Sequence, residues 1–280
     1  MSRVVNSIGR LAKTAICNSL IDQTIDFIWG SLLPWKNDPD RPFAEAEEDL
    51  NGQFHDFLSS RATEEFPMVY FRHEQRQEGR RKVDLAAKPK QSVIIQGVTY
   101  SKYQPIIVIE GKRLPAPTKP RGREYVTGGE SVTGGIQRFK LGVHGKEHET
   151  VIILGYIQKK ALQYWYSSIN VWISELTETH PGDWSVMESL SEFQSLDSDM
   201  RARSVSVHPR VMGCRSKTIR ILHFWIQCSP SSQGAAAAGG MPHKTGAASI
   251  TRTKKNQGVQ LDSNRTAEAV LTAQPLISSV

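Results

Sequence analysis

A run of β-branched residues, Ile106 to Ile109, most constrains how this 280-residue chain can fold. Such side chains favour strands, and a run without any polar residue is typical of a buried strand. Glu110 and Lys112 follow at once, with Gly111 between them. Because side chains two apart on a strand point to the same face, this carboxylate and this ammonium should lie side by side. Ionised groups near a core need a partner or a metal, so the pair requires an explanation.

A second carboxylate, Asp84, belongs to the preceding predicted strand. Val83 and Leu85 flank it, so the segment alternates as a strand with Asp84 on the opposite face from both. A hairpin formed in part by residues 92–99 would bring Asp84 next to Glu110. Two carboxylates and a lysine would then converge, and carboxylate oxygens are hard ligands that suit Mg²⁺.

Asp84, followed by Glu110-Gly111-Lys112 at the end of an apolar strand, resembles the signature of the PD-(D/E)xK nuclease superfamily. The family often has Pro before the Asp, where this chain has Val83. The resemblance covers residues 43–176 and extends in part to residue 228. It implies a restriction-endonuclease-like fold and metal-dependent hydrolysis of nucleic-acid phosphodiester bonds. Family usage favours DNA over RNA as the substrate.

The same resemblance implies a metal site and a catalytic lysine. Asp84 and Glu110 would ligate Mg²⁺, for which Mn²⁺ could substitute. The backbone carbonyl of Gly111 and the carboxylate of Glu47 would complete the site. Lys112 would orient or help to deprotonate the attacking water and would offset the developing negative charge.

Basic residues are frequent around the predicted site. Gln137, on a short helix after the Glu-x-Lys strand, matches a Gln found in branches of the superfamily, and the resemblance implies that it positions the nucleic acid together with these basic residues. A net charge of +7 is compatible with a nucleic-acid partner but does not by itself select one. The charge run is equally well explained as a solvated face. The residues assigned to nucleic-acid binding are Arg80, Arg81, Lys82, Arg113, Arg121, Arg123 and Arg138.

Hydrophobic periodicity predicts an element order that is partly independent of the motif. The order is helix, three strands, helix, strand, helix, which corresponds to an αβββαβ core. The fold class is therefore α/β, with a mixed central sheet flanked by helices. The elements are predicted from Phe43 to Phe57 (helix), at 68–71, around Asp84 and at 106–109 (strands), at 136–141 (helix), at 150–157 (strand) and at 165–176 (helix).

The first helix of this core carries an acidic residue on its apolar stripe. Phe43, Leu50 and Phe54 mark the predicted buried face, and Glu47 falls inside it. A buried carboxylate needs a partner, so Glu47 either joins the site or extends to solvent at the helix end.

Three segments make up the predicted domain organisation. Residues 1–36 form an amphipathic helix that Gly30 ends; it packs on the core or, given its basic and acid-free start, serves as an organellar presequence. Residues 37–228 form the nuclease-like domain. Residues 229–280 contain no Phe, Tyr or Trp and predict a low-complexity disordered tail that could contact an unknown partner.

The last part of the nuclease-like segment offers no second site. A short helix is predicted between Trp184 and Phe193, and a closing hairpin between residues 204 and 227. His208 and His223 lie in that hairpin, but no spacing supports a metal site or a general base. Surface or hydrogen-bonded histidines are the favoured interpretation.

Cysteine use and hydropathy restrict the location. Cys17, Cys214 and Cys228 show no metal-ligand spacing, and an odd count without a signal peptide favours a reducing interior. We expect a cytoplasmic protein, with nuclear and organellar locations left open. No apolar run reaches the length of a membrane span, so no membrane partner is expected, whereas a homodimer is compatible.

Two alternatives compete with a nuclease. One is a module that keeps the fold without the activity and binds nucleic acid or protein through its basic rim. The other is an interaction protein in which Glu110 and Lys112 form a surface ion pair and Asp84 lies elsewhere. Convergence of the three side chains distinguishes the nuclease from the second alternative.

Overall fold

The computed structural model describes residues 3–77, 81–198 and 200–228, with side chains from Leu20 onward. In this part of the chain, helices flank a seven-stranded mixed sheet, and a small hairpin of two strands is separate from it. The helices are α1 (Arg3–Lys36), α2 (Glu47–Glu65), α3 (Gly135–Lys140) and α4 (Leu162–Thr179). The strands are β1 (Val69–Arg76), β2 (Lys82–Pro89), β3 (Val93–Ile95), β4 (Val98–Tyr100), β5 (Ile107–Leu114), β6 (Thr150–Ile157), β7 (Ser191–Leu196), β8 (Arg201–Pro209) and β9 (Thr218–Gln227).

The large sheet has the strand order β1-β2-β5-β6-β9-β8-β7. β1, β2 and β5 are antiparallel neighbours, β5, β6 and β9 run parallel, and β8 and β7 continue antiparallel. Strands buried on both faces read as continuous apolar runs, as β5 and β6 do. The predicted α/β class with a mixed sheet is therefore confirmed.

Two apolar cores sandwich the sheet, and β5 contributes to both. Ile107 and Ile109 belong to the core formed with α1 and α2. Val108, between them, belongs to the core formed with α3 and α4. Consecutive side chains of a strand point to opposite faces, so every position of this run must be apolar. The charged residues Glu110 and Lys112 follow this run and are themselves buried.

Several predicted elements agree closely with the structure. The strand predicted at 150–157 is β6, and α4 contains the predicted helix at 165–176. The predicted hairpin near residues 92–99 is formed by β3 and β4, and the closing hairpin by β8 and β9. None of the helices among the described residues is long and apolar enough to cross a membrane.

Val83 belongs to the core formed with α3 and α4 and Leu85 to the core formed with α1 and α2, so the prediction that both lie on the face opposite Asp84 was wrong.

Three further local predictions were wrong. Gly30 does not end α1, which continues through Pro34 to Lys36 because this stretch packs Leu32 and Trp35 into the core. The second helix begins at Glu47 rather than Phe43. Extended backbone at Ala46 precedes that start, and the Phe43 side chain is 73% exposed.

The third of these errors concerns residues 184–193, for which a short helix was predicted. They form a single 3-10 turn at Val186–Glu188 followed by β7. A capping box between Ser185 and Glu188 stabilises the turn, and pairing with β8 makes the following segment a strand. The predicted tail, residues 229–280, lies outside the described residues.

A buried polar chain connects α3 to β8 and β9. Lys140 on α3 pairs with Glu188, whose carboxylate can only accept and therefore receives the Nδ1 proton of His208. With that tautomer fixed, each remaining contact has one consistent donor. Ser206 donates to His208 Nε2 (2.7 Å), His223 Nε2 to Ser206 Oγ (2.8 Å), Tyr125 to His223 Nδ1 (2.9 Å) and Trp225 Nε1 to Tyr125 Oη (2.8 Å). His208 and His223 are thus hydrogen-bonded core residues.

Candidate functional site

The antiparallel pairing of β2 and β5 brings the two predicted carboxylates together. Its last aligned pair is Leu85 with Ile109. One step further in the same register, Asp84 faces Glu110, at the point where the ladder ends. There the Gly111 backbone N–H donates to Asp84 Oδ2 over 2.7 Å. The Asp84 carboxylate thus accepts the backbone N–H that a carbonyl of the neighbouring strand would otherwise accept. The two carboxylates lie together at the end of the β2–β5 ladder.

Glu110 is almost completely buried, with 1% of its surface exposed. Its Oε1 accepts from Arg138 Nη1 (2.7 Å) and lies 3.0 Å from Lys112 Nζ. His144 Nδ1 donates to Oε2 over 3.1 Å. Burial alone would raise the pKa of Glu110, but Lys112, His144 and Arg138 hold that pKa well below its usual value. Glu110 is therefore a permanent carboxylate at neutral pH.

Lys112 is buried between carboxylates. Its Nζ lies 3.0 Å from Glu47 Oε1 and donates to the Gly111 carbonyl over 2.8 Å. Burial alone would lower the pKa of the ammonium, but Glu110, Glu47 and Asp84 raise it well above its usual value. Lys112 is thus a fixed cation in this arrangement and does not act as a proton acceptor.

Glu47 is the first residue of α2, and that helix end lies against the end of β5. One carboxylate oxygen pairs with Lys112, and the other accepts the Arg113 backbone N–H over 2.9 Å. The partner expected for a carboxylate on the apolar stripe is therefore Lys112. This contact ties the helix to the strand that carries the motif.

Asp84 lies on the wall of an open cleft of about 460 Å³. Burial, reinforced by the nearby charges of Glu110 and Glu47, raises the pKa of Asp84 to about 7. Its Oδ1 makes no hydrogen bond to any described residue, unlike Oδ2. Asp84 can therefore gain or lose a proton near neutral pH. The cleft is also lined by Glu47, Glu48, His73, Glu74, Arg113 and Arg121.

Gly111 has a steric reason to be glycine. A Cβ at this position would lie 2.0 Å from Asn51 Oδ1 on α2. That same oxygen accepts a hydrogen bond from Tyr156 Oη over 2.9 Å, which holds Asn51 in place. The absent side chain lets α2 approach β5 closely enough for Glu47 to reach Lys112.

Of the residues predicted to position the substrate, Arg138 joins the cluster through Glu110, whereas Gln137 bonds a neighbouring loop. The Gln137 amide accepts from Gly128 N (3.0 Å) and donates to Gly129 O (3.0 Å), so it fixes the glycine-rich turn before α3. His144, which contacts Glu110, was not predicted. It follows α3 without any motif, and only the fold brings it to the site.

Of the other predicted basic residues, Arg113 and Arg121 line the Asp84 cleft, and most of the set is paired. Lys82 pairs with Glu74 (2.6 Å), Arg121 with Glu124 (2.5 Å) and Arg123 with Glu175 (2.5 Å). Arg113 Nη1 donates to the Glu45 carbonyl over 3.0 Å. Arg81 is exposed, and Arg80 lies outside the described residues.

The predicted metal ligands fit a divalent cation in part. Asp84 fits, because it lines the cleft and its Oδ1 makes no hydrogen bond to a described residue. Burial and the negative charges of Glu110 and Glu47 destabilise its ionised form, and a bound cation would offset that cost. Glu110 is adjacent, but side-chain cations already contact both of its oxygens, and Lys112 occupies the Gly111 carbonyl. Among the described residues, no three His, Cys, Asp or Glu side chains are grouped as a metal site.

The chain was compared with known protein families, curated proteins and solved structures. No protein-family model, curated protein or solved structure matches this chain.

Proposed function

We propose that this chain is a metal-dependent nuclease that hydrolyses nucleic-acid phosphodiester bonds, with DNA the preferred substrate. The observation that carries the proposal is the convergence of Asp84, Glu110 and Lys112 beside an open cleft. The order α2, β1, β2, β5, α3, β6 supports it, because this is the αβββαβ order of the nuclease fold once the β3–β4 hairpin is treated as an insertion. A surface ion pair does not account for side chains this deeply buried.

In the proposed mechanism, Asp84 and Glu110 would hold a divalent cation such as Mg²⁺, which when bound would supply an activated water molecule and Lewis-acid polarisation of the phosphate. Glu110 remains ionised under all working conditions because of its cationic neighbours. Lys112 stays protonated and stabilises the negative charge that develops on the phosphate in the transition state. Glu47 orients the Lys112 ammonium.

A second candidate function follows from the saturation of Glu110. Because Arg138, Lys112 and His144 already compensate this carboxylate, the fold is also compatible with a module that binds nucleic acid or protein without cutting it. The two functions differ in whether the chain takes up a divalent cation at Asp84.

The decisive experiment incubates the protein with supercoiled plasmid and with single-stranded DNA, in Mg²⁺ and in chelator. We expect nicking in Mg²⁺ alone, and its loss in Asp84→Asn and Lys112→Ala. Asp49→Asn, which changes an exposed carboxylate on the first turn of α2, is the matched control and should cut normally. If no preparation cuts either substrate, the binding-module candidate replaces the nuclease. Equal cutting by all variants would place the activity elsewhere.

A further inference from the structure

A second cleft, of about 360 Å³, lies on the other side of the segment that carries His144. Parts of the chain that are far apart in sequence form its walls. They are the end of β1 with Arg76 and Gln77, the β3–β4 hairpin with Tyr100, the segment 146–148, and Arg215.

The charge of this cleft is opposite to that of the Asp84 cleft. Among the described residues, Arg76, Lys146 and Arg215 line it together with the carboxylate of Glu147, and Glu149 lies 3.7 Å from Arg215 Nε. His148 adds no charge, since burial lowers its pKa to about 4. In the Asp84 cleft, four carboxylates face two arginines. A polyanion would therefore be attracted to the second cleft and repelled by the first unless a cation is bound there.

The cationic side of the cleft is held rigidly. Arg215 Nη1 donates to Tyr100 Oη over 2.6 Å, and its guanidinium lies 5.6 Å from the centre of that ring. Arg210 donates to the carbonyls of Gly145 (3.1 Å) and His148 (2.9 Å), which fixes the backbone of the segment. Groups ordered before binding lose little entropy when a ligand arrives.

Arg76 supplies the available charge. Its side chain is exposed, and the guanidinium makes no ion pair or hydrogen bond to the described residues. Arg72, on the same strand, and Lys90, just after β2, are exposed as well but line neither cleft. These two provide a control that matches the cleft residues in number and sign of charge.

A short piece of backbone connects the Glu110 cluster to the second cleft. His144 donates to Glu110, and the next residue, Gly145, donates its N–H to Gln77 Oε1 over 3.1 Å. The segment from His144 to His148 can span at most ~14 Å between its terminal Cα atoms. A strand bound in the second cleft could therefore extend toward the Glu110 cluster over a few nucleotides.

We infer that the basic cleft of Arg76, Lys146 and Arg215 binds the phosphate backbone of a nucleic-acid strand a few nucleotides from the position of cleavage. The inference rests on the proposed nuclease function for the link to cleavage, but the binding itself does not require activity. Phosphate recognition is the shared chemistry, and a free nucleotide offers it too. The experiment separates these two sources.

The test measures the fluorescence anisotropy of a short labelled single-stranded DNA in chelator, where no metal-dependent cutting occurs. We expect Arg76→Gln/Lys146→Gln to weaken binding at least tenfold. The slope of log Kd against log salt should fall by about 1.4, since each lost phosphate contact removes about 0.7 on a single strand. Arg72→Gln/Lys90→Gln removes the same charge elsewhere and should change Kd by less than threefold. Melting temperatures establish that each variant is folded.

Three results would overturn the inference. They are equal losses in the two double variants, full competition by a mononucleotide at the same concentration of phosphate, and equally tight binding of a polyglutamate of matched charge. The outcome is independent of the nuclease assay. Loss of binding in the cleft variant together with absence of Mg²⁺-dependent cutting would retain the cleft and reject the nuclease.

Discussion

Lys112 Nζ lies 3.0 Å from Glu110 Oε1, although both side chains are almost completely buried. The Glu-x-Lys spacing on a strand predicts their common face, and the fold adds the desolvation that makes the pair strong. Removing one member of such a pair leaves the other charge without compensation. The pair is therefore a structural requirement as well as a candidate catalytic device.

Lys112→Ala should separate catalysis from metal binding. Asp84 and Glu110 remain and lose a competing cation, so we expect Mg²⁺ to bind at least as tightly by calorimetry. Plasmid nicking should fall by orders of magnitude, because the lysine acts mainly in the transition state. Lys112→Arg keeps the charge and should restore more stability than activity. Weaker Mg²⁺ binding in Lys112→Ala would show that the lysine organises the ligands.

Asp84 should make stability depend on pH and on metal. Its folded-state pKa of about 7 exceeds the ordinary 3.8, so the stability contributed by protonation is complete below 3.8 and is lost as the pH rises through 7. In chelator at pH 8, Asp84→Asn should therefore be more stable than the parent, by up to about 4 kcal/mol of unfolding free energy. The advantage should vanish near pH 4.

Mg²⁺ supplies the counterpart of that measurement. At pH 8 it should raise the melting temperature of the parent and leave that of Asp84→Asn nearly unchanged, because the ion neutralises the charge that the variant lacks. Asp49→Asn should respond to Mg²⁺ as the parent does. If the melting temperature of the parent changed with neither pH nor Mg²⁺, that result would contradict both the raised pKa of Asp84 and the metal site.

Gly111→Ala should lower stability through Asn51. The added methyl group would overlap Asn51 Oδ1 and displace the acceptor of the Tyr156 hydroxyl, so a loss of about 1–3 kcal/mol is expected by chemical denaturation. Asn51→Ala removes the obstructing amide, and the double variant should lose less than the sum of the single changes. Strict additivity would mean that the clash is not the cause.

Ser206 is the central connection of the buried polar chain. Ser206→Ala leaves Nε2 of His208 and of His223 without partners, at an expected cost of about 1–3 kcal/mol in unfolding free energy. Ser206→Thr keeps the hydroxyl and should recover most of that loss. The control is Ser168→Ala on the exposed face of α4, where the change should be near zero. If threonine fares no better than alanine, packing rather than hydrogen bonding is responsible.

Features that depend on residues near one another in the sequence were predicted well, and features that depend on distant contacts were not. The Ile106–Ile109 run and the 150–157 strand were predictable from the sequence, because alternate residues fill the two cores and the run must be apolar throughout. Phe43 was misplaced because an apolar residue four positions before Glu47 fits a helical stripe, whereas the backbone at Ala46 is extended. Periodicity alone does not contain that information.

The candidate site shows the same division. The expected cluster of Asp84, Glu110 and Lys112 follows from strand spacing plus one hairpin, both of which are local. His144 contacts Glu110 only because the segment after α3 folds back over the sheet, and no spacing encodes that return. The charge state of Lys112 was likewise hidden, since it depends on three carboxylates from α2, β2 and β5.

The position of β9 bears on how the chain can be made. It is the last described strand in chain order, yet it pairs with β6 on one side and β8 on the other. During synthesis, the backbone groups of β6 that pair with β9 therefore stay unpaired until residue 227 has left the ribosome. An open edge of an apolar strand is a template for unwanted pairing. Chains that terminate before residue 218 should thus accumulate as aggregates or recruit chaperones, even though every residue of the candidate site has already been translated.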